Sequence, residues 1–308
     1  MIITLQAHSA QPDPVASDMA SSLTAPSFIL HGKATEYYWR GREALSIKTF
    51  FSGRALYTLG RGYCSVDDTA YLIVNHDQPY TITIDNATAV ESFCLFFAPG
   101  FAEDVYRSLS TQADRLLDDP IGEYITPLHF FERTYPHDEL LSPVLFQLRA
   151  AIGDAKYEHI WLQEQFHALM RRMLQVHFKV YREVEALPAV RAATREELYR
   201  RIHLAKDYAA ALFDTPLTLD ELASAASLSP NHFLRVFKQT FQQTPYQYIT
   251  SRRLERARQL LLSTDCSVTD ICFSLGFASV GSFSWLFRKK VGCSPTAYRS
   301  QKGDFGEA

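Results

Sequence analysis

The sequence predicts a two-domain α+β chain, an antiparallel β-barrel or sandwich followed by an all-α domain, and three observations predict it. Period-two apolar alternation falls between residues 28 and 98, which means strands with one face buried. Beyond Pro99 the spacing becomes helical. Between Leu217 and Arg299 one short pattern is stated twice. Ser229, Phe233, Phe237 and Lys238 recur as Ser279, Phe283, Phe287 and Arg288 at an offset of 50. Leu219, Leu222 and Leu228 recur as Val268, Ile271 and Phe277 at an offset of 49, so the difference falls in the turn, where length is cheapest. Each copy reads as helix, tight turn and second helix, which is the helix-turn-helix unit.

In chain order, residues 1–25 are rich in Ala, Ser and Pro and read as a loosely ordered arm. Leu45, Ile47, Thr49 and Phe51 alternate with differently directed neighbours, as do Tyr80, Ile82 and Ile84, and then Phe93, Leu95 and Phe97. Turn signals separate these runs at Ser52-Gly53, Gly60-Arg61-Gly62, Asp67-Asp68 and Asn75 to Pro79. Several short antiparallel strands imply a small barrel or sandwich. Phe101, Val105 and Leu109 share one face of a short helix. Two longer helices, Leu140 to Ile152 and Tyr157 to about Ala186, are divided by Gly153-Asp154 and form a hairpin. Leu162, Phe166, Leu169, Met173, Val176 and Val180 make its packing stripe. The first domain is thus 26–186, with a linker at 187–195 around Pro188.

The all-α domain, 196–301, opens with a helix from about Arg195 to Phe213, capped by Thr194 with Glu197 in capping-box spacing. Thr218 with Glu221 has the same spacing, and Ser267 with Asp270 approximates it. Ser229-Pro230, Thr244-Pro245 and Ser294-Pro295 each put a hydroxyl cap before proline at the first helical position, where a missing N–H costs nothing. Gly276 supplies backbone freedom to the second turn, and Ser227 holds that place in the first. Between the units, Pro245 to Leu262 reads as one helix, apolar along Ile249, Leu254, Ala257 and Leu261 and basic at Arg252, Arg253, Arg256 and Arg258.

Composition narrows the function classes. The 308 residues suffice for two cores, and 47% apolar with 21% charged content is that of an ordinary soluble protein. No apolar run approaches a membrane span, so no membrane partner is expected. The N-terminus lacks a basic start before an apolar segment, so a cytoplasmic location is expected. Five cysteines, Cys64, Cys94, Cys266, Cys272 and Cys293, never fall in CxxC spacing and read as a buried, reduced set. His31 and His76 stand alone and Tyr80 follows the proline where a histidine would help, so no metal and no other cofactor is expected. No Ser/His/Asp set or glycine-rich phosphate loop appears, and no enzyme is predicted. Charge is divided unevenly. Residues 1–195 hold 17 Lys+Arg against 23 Asp+Glu, a net of −6, whereas residues 196–302 hold 14 against 9, a net of +5. A basic C-terminal domain beside an acidic partner fits phosphate binding by the former alone.

Residues 198–301 resemble the DNA-binding domain of the AraC/XylS family of bacterial transcription regulators. The motifs that carry the resemblance are LTLDELASAASLSPNHFLRVFKQTFQQTPYQYITSRRLERARQLL and SVTDICFSLGFASVGSFSWLFRKKVGCSPTAYR, about a third of the chain. The resemblance implies a cupin-like barrel in the N-terminal domain, with YLIVNHDQPYTITI as a strand-turn-strand passage, and a homodimer made through the helical hairpin. It implies double-stranded DNA as partner, a possible small-molecule effector, and activation through RNA polymerase. The scattered cysteines argue against the related DNA-repair methyltransferases, which need a cysteine-rich metal site. One departure from the family pattern is Gln243, where glycine usually follows the first reading helix.

The second helix of each unit is expected in the major groove. In the first, Phe233, Val236 and Phe237 fit a buried face, leaving Asn231, His232, Leu234 and Arg235 outward or at the edge. Asn231, Leu234 and Arg235 match the family's base-contacting positions. Arginine can bond both acceptors of a guanine, asparagine does the same for adenine, and leucine touches a thymine methyl. Arg235 either contacts DNA or pairs with an acid of its own domain, and His232 is either a contact or a partly packed surface residue. In the second, Phe283, Leu286 and Phe287 fit the buried face, and Val280, Gly281, Ser284 and Trp285 match the family's DNA-facing positions. Many members have arginine at the place of Trp285, so this helix is expected to read by shape and apolar contact. Lys238, Arg288, Lys289 and Lys290 are expected near phosphates. Trp39, Tyr37, Tyr38, Tyr57, Tyr71 and Phe50 either line an effector pocket or fill the barrel.

Overall fold

Eight strands build the N-terminal sheet: β1 (Ile2–Leu5), β2 (Phe28–Gly41), β3 (Ser46–Phe51), β4 (Arg54–Leu59), β5 (Gly62–Asp67), β6 (Ala70–Val74), β7 (Tyr80–Phe96) and β8 (Thr134–Pro136). The structure is a computed structural model that describes residues 2–5, 26–111, 127–153, 158–187 and 191–300. The strand order is β1-β2-β7-β3-β6-β8, with β4 pairing both β5 and β7. Among the described residues only β1 runs parallel to its neighbour, and the other pairings are antiparallel. The two runs expected as separate strands around Tyr80 and Phe93 are one strand. Its first half pairs with β4 and its second half with β3, which wraps the sheet into a barrel-like form. A register shift in β2 between Ala34 and Glu36 lets both long strands bend together. The predicted turns hold, with Ser52, Gly60 and Asp77 all at positive φ.

Two expectations change here. Residues 2–5 of the predicted arm form β1, since the β-branched run Ile-Ile-Thr suits the edge of β2; residues 6–25 lie outside the described residues. Strand β3 is buried on both faces rather than one. The reason is non-local: helices cover its outer face. Ile47 and Phe51 join a core with α1 (Phe101–Ser110), α2 (Ser142–Gly153) and α3 (His159–Glu185), while Phe50 belongs to the barrel interior with Trp39, Tyr57, Tyr80 and Phe96. All six stripe residues of α3 are buried as predicted, whereas Leu109 of α1 is exposed. Between α2 and α3, residues 154–157 lie outside the described residues. Among the described residues no helix is long and apolar enough to cross a membrane.

Two groups in this N-terminal unit make its stability depend on pH. Arg149 clamps Glu91 through Nε at 2.7 Å and Nη2 at 2.9 Å, and His31 Nε2 lies 3.0 Å away. The Arg149 hydrogen bonds hold the Glu91 pKa down at about 2, against the cost of burial. His177, among the rings of Phe130, Phe178 and Tyr181, is pushed down to about 4 by burial. The unfolded chain therefore takes up a proton at His177 from about pH 6.5 and at Glu91 from about pH 4.5, before the folded chain does. Stability is expected to fall between about pH 6.5 and 4 from the first group, and between about 4.5 and 2 from the second. Thermal melts across this range should show the upper limb flattened in His177→Phe; an unchanged upper limb would reject the assignment.

The chain divides into two units, 1–200 and 201–308, within α4 (Ala192–Ala211). That helix starts earlier than predicted, so Thr194 sits in its first turn rather than capping it. Residues 188–190 of the predicted linker lie outside the described residues. The C-terminal unit continues with α5 (Leu219–Ala225), α6 (Pro230–Phe241), α7 (Pro245–Ser263), α8 (Val268–Ser274), α9 (Val280–Val291) and α10 (Pro295–Ser300). The offsets of 49 and 50 reappear as helix boundaries. Ser227 and Gly276 both take positive φ, 51° and 74°, and the extra residue, Ala278, follows the second of them. Each turn is closed alike, by Leu228 N–H to the Ala223 carbonyl and by Phe277 N–H to the Cys272 carbonyl.

Candidate nucleic-acid interface

Helix α6 is placed by caps and rings. Thr218 and Glu221 form the capping box that starts α5, and Thr244 with Gln247 forms another at the start of α7. Ser267 and Ser294 also cap through their hydroxyls, whereas Ser229 makes no side-chain cap bond and relies on Pro230. Phe233 stacks toward Phe237 at 5.4 Å, and Phe237 meets Phe241 at 4.6 Å and Tyr248 at 6.1 Å. The same ladder recurs 50 residues on, where Phe283 meets Phe287 at 5.7 Å and Phe287 meets Tyr298 at 5.6 Å. Tyr248 and Tyr298 thus extend the repeat by a member the sequence reading did not include.

With Phe233, Val236 and Phe237 buried, α6 exposes Asn231, Leu234, Arg235 and Lys238, and His232 is half-buried. Helix α9 exposes Gly281, Trp285 and Arg288, with Val280 and Ser284 half-buried. Leu286, expected in the core, is half-buried at the flank of the stripe made by Phe283 and Phe287. The two exposed faces correspond at an offset of 50: Asn231 to Gly281, Leu234 to Ser284, Arg235 to Trp285 and Lys238 to Arg288. Neither helix contains Asp or Glu, and among the described residues no acidic side chain pairs with Arg235, Lys238 or Arg288. Arg235 is therefore not spent on an ion pair within its own domain.

The second face has a different chemistry. Trp285 is 61% exposed, and Lys289 Nζ sits 4.8 Å from its ring centroid. A Cβ built on Gly281 meets nothing within 4 Å, so the protein's own packing does not demand glycine there. Ser279 caps the helix by accepting from Ser282 N–H at 3.2 Å.

One residue counted among the basic face of α7 has another task. Arg253 donates from Nε to the Phe213 carbonyl at 2.6 Å, from Nη1 to the Gly276 carbonyl at 2.7 Å and from Nη2 to the Thr215 carbonyl at 2.9 Å. Gly276 is needed in return, since a Cβ there lies 2.7 Å from the Asp214 carbonyl and 2.9 Å from Arg253 Nη2. The signal was present in the sequence: Ile249, Arg253, Ala257 and Leu261 follow one another at spacing four, so a cation stands inside the apolar stripe. Arg258 and Arg299 are also committed, to Tyr298 Oη at 3.1 Å and to the Cys266 carbonyl.

Of the aromatic residues offered for an effector pocket, Trp39, Phe50 and Tyr57 share the barrel interior and Tyr37 packs against it. Tyr71 belongs to the helix-covered core instead, and Tyr38 is exposed, because their strand positions point them to the other face. Tyr80 is interior and binds a lysine missed in the sequence. Lys48, 2% exposed, donates to Tyr80 Oη at 2.9 Å and Glu43 Oε2 at 2.8 Å and lies 3.9 Å from the Phe96 ring centroid. Burial and Glu43 push the Tyr80 pKa well up, so its hydroxyl stays protonated and donates to Glu43. None of the five cysteines is in a disulfide; three are buried, Cys293 is half-buried and Cys266 exposed, contrary to the expected buried set.

A helix-turn-helix domain model matches residues 222–301. The melibiose operon regulatory protein of Escherichia coli (strain K12) is 39% identical over 87 residues, 28% of this chain and 29% of that protein. The HTH-type transcriptional activator RhaS of Klebsiella pneumoniae (strain 342) is 28% identical over 250 residues, 81% of this chain and 80% of that protein. The C-terminal domain is therefore similar to that of AraC/XylS-type transcription regulators. A solved transcriptional regulator from Chromobacterium violaceum, described by its AraC-type DNA-binding domain, is 31% identical over 38% of this chain and 100% of that one, with a TM-score of 0.31. The match to the melibiose regulator spans less than a third of that protein's length.

The AraC/XylS glycine expected after the first reading helix is replaced at Gln242, not at Gln243. Gln242 holds φ 54° at the C-terminal end of α6, where its counterpart Gly292 holds φ 92°. A side chain in the left-handed region costs about 1 kcal/mol, which glycine avoids. Gln242→Gly is expected to raise the stability of the C-terminal unit by about 1 kcal/mol; a chemical-denaturation midpoint that falls would contradict the strain.

Proposed function

We propose that this chain is a cytoplasmic, dimeric, sequence-specific transcription regulator, and an activator, whose two helix pairs act as helix-turn-helix units in the DNA major groove. The observation that carries the reading is the twice-stated exposed face, alike in scaffold and basic end but different in its reading residues. Asn231, His232, Leu234 and Arg235 read base edges from the first unit, and Lys238 holds phosphate. Val280, Gly281, Ser284 and Trp285 read shape and apolar surface from the second, and Arg288 holds phosphate. The 19 residues of α7 span about 28 Å, compatible with successive grooves about 34 Å apart. Activation proceeds by contact with RNA polymerase, and no catalytic step is assigned. The name of the RhaS relative, aligned over most of the chain, supports the activator reading.

The N-terminal unit is read as a cupin-like barrel that senses an effector and carries the dimer. A second reading, in which the barrel is structural only, is favoured by Lys48 being already satisfied by Glu43 and Tyr80. Thermal-shift screening with cell metabolites separates them, because a ligand of the folded state raises the melting point. The main reading is tested by selecting genomic fragments with the full chain at two salt concentrations. Two conserved blocks about one helical turn apart are expected; salt-sensitive binding without any motif, with and without metabolite extract, would refute it.

A further inference from the structure

Gly281 and Trp285 stand one turn apart on the exposed face of α9, at the places that Asn231 and Arg235 hold on α6. An amide and a guanidinium are thus replaced by bare backbone and a flat ring. Apart from its chain neighbours and the helix backbone, a Cβ built on Gly281 would find no atom within 4 Å, from Trp285 or from any other residue. Its φ is not in the left-handed region, so the helix does not require glycine there either. The ring beside this gap is 61% exposed, and Lys289, one turn further on, places Nζ 4.8 Å from its centroid, a cation–π contact that keeps the ring against α9. Ser284 is half-buried, and the first guanidinium on this face, Arg288, lies seven residues beyond Gly281, roughly 10 Å along the axis. The result is an open apolar notch with a backbone floor and an aromatic wall.

We propose that this notch reads the C5-methyl group of a pyrimidine in the major groove, seating it between Gly281 and the Trp285 ring. The inference rests on the DNA reading above and names what its second helix recognises. Base edges in the major groove offer acceptors, amino donors and, at thymine alone among the ordinary bases, a methyl group at C5. Acceptors and amino groups need polar partners, and Trp285 brings a single donor, its indole N–H. The methyl needs an apolar one. Carbons in contact lie about 3.5–4.0 Å apart, and the space over Gly281 is clear to 4 Å, so a methyl carbon fits where a Cβ would otherwise stand. Glycine also lets the helix backbone approach a base edge more closely than any residue with a Cβ. A methyl on C5 of cytosine occupies the same place in the groove as that of thymine, so the notch takes 5-methylcytosine as well. Cytosine methylation at this position is therefore a signal that the second unit can sense, whereas Asn231 and Arg235 put hydrogen-bonding groups at the matching places of the first.

Fluorescence-anisotropy titration of the full-length chain on the duplex recovered by the genomic selection tests this. Deoxyuridine, which is thymidine without the C5 methyl, replaces each thymidine of the second word in turn. One such replacement is expected to weaken binding about fourfold, the effect of leaving one methyl group unburied. With a cytosine·guanine pair at that position, 5-methylation of the cytosine should strengthen binding by a similar factor, which separates the methyl from the O4 acceptor that thymine also carries. A uridine effect without a methylcytosine effect identifies thymine as the base in use. In Trp285→Ala, and in Gly281→Leu, which fills the notch, the methyl effects should vanish while the response to base changes in the first word persists, showing that the variants are folded. A parent indifferent to uridine and to methylation throughout the second word would overturn the methyl reading and leave the DNA reading standing. So would a methyl effect that survives both substitutions. A parent with no preference for any duplex sequence would overturn both.

Discussion

Arg253→Ala is expected to loosen the second helix pair by about 2–4 kcal/mol, the largest single-residue effect in the C-terminal unit. Three backbone carbonyls, from Phe213, Thr215 and Gly276, converge on one guanidinium at 2.6 to 2.9 Å. A hydrogen bond to a charged group contributes about 1.5–3 kcal/mol. The three are not additive, because water reaches part of the site and rehydrates freed carbonyls. Lysine offers a point charge without the planar fork, so Arg253→Lys should recover only a fraction of the loss. Hydrogen exchange is the decisive measurement, since it reads each helix separately. Protection in α8 and α9 should collapse while α5 and α6 keep most of theirs; unchanged protection in α8 would mean that the turn holds itself without the arginine.

Arg235→Ala is expected to cost about 1–3 kcal/mol of binding to the selected DNA site and to relax preference at one base pair. The guanidinium stands exposed on α6, and among the described residues no acidic side chain pairs with it, so on the proposed reading the loss would be one of DNA contact. Lys238→Ala provides the contrast. As a phosphate contact it should weaken all sequences alike and lower the salt slope by about 1. Titrations on the site and on single-base variants at two salt concentrations distinguish the pair. If Arg235→Ala weakens every sequence equally, its role as a base reader is wrong and it joins Lys238.

What the sequence made legible was local. The caps at Thr218 and Thr244, the turn residues Ser227 and Gly276 and the offset of 50 all depend on neighbours within a few positions, and they reappear in the structure. The exposed residues of α6 and α9 followed from where phenylalanine recurs. Legibility ended where distant chain decides the environment. Lys48 reads as an outward residue of an alternating strand, yet it is buried because Glu43 and Tyr80, 32 residues away from it, supply its partners. The double burial of β3 depends on helices that follow tens of residues later. The Asp85–Val90 stretch has the polarity of a turn, yet β7 runs on through it, with its pairing to β2 broken there by the register shift and resumed on either side. Arg253 was misread for the same reason: its partners lie on two other segments of the chain.

The extra residue at Ala278, small in itself, bears on the direction of the molecule. Were the two helix pairs identical, a duplex carrying the same short word twice would satisfy either one in either place. They differ both in turn length and in what they present, with Arg235 on one and Trp285 on the other, and α7 joins them through one continuous helix. A single subunit is therefore chemically polar, with a hydrogen-bonding head and an apolar head. On the proposed reading of two DNA words, such a polarity would work as an arrow, the order of the words setting which way along the duplex the protein faces.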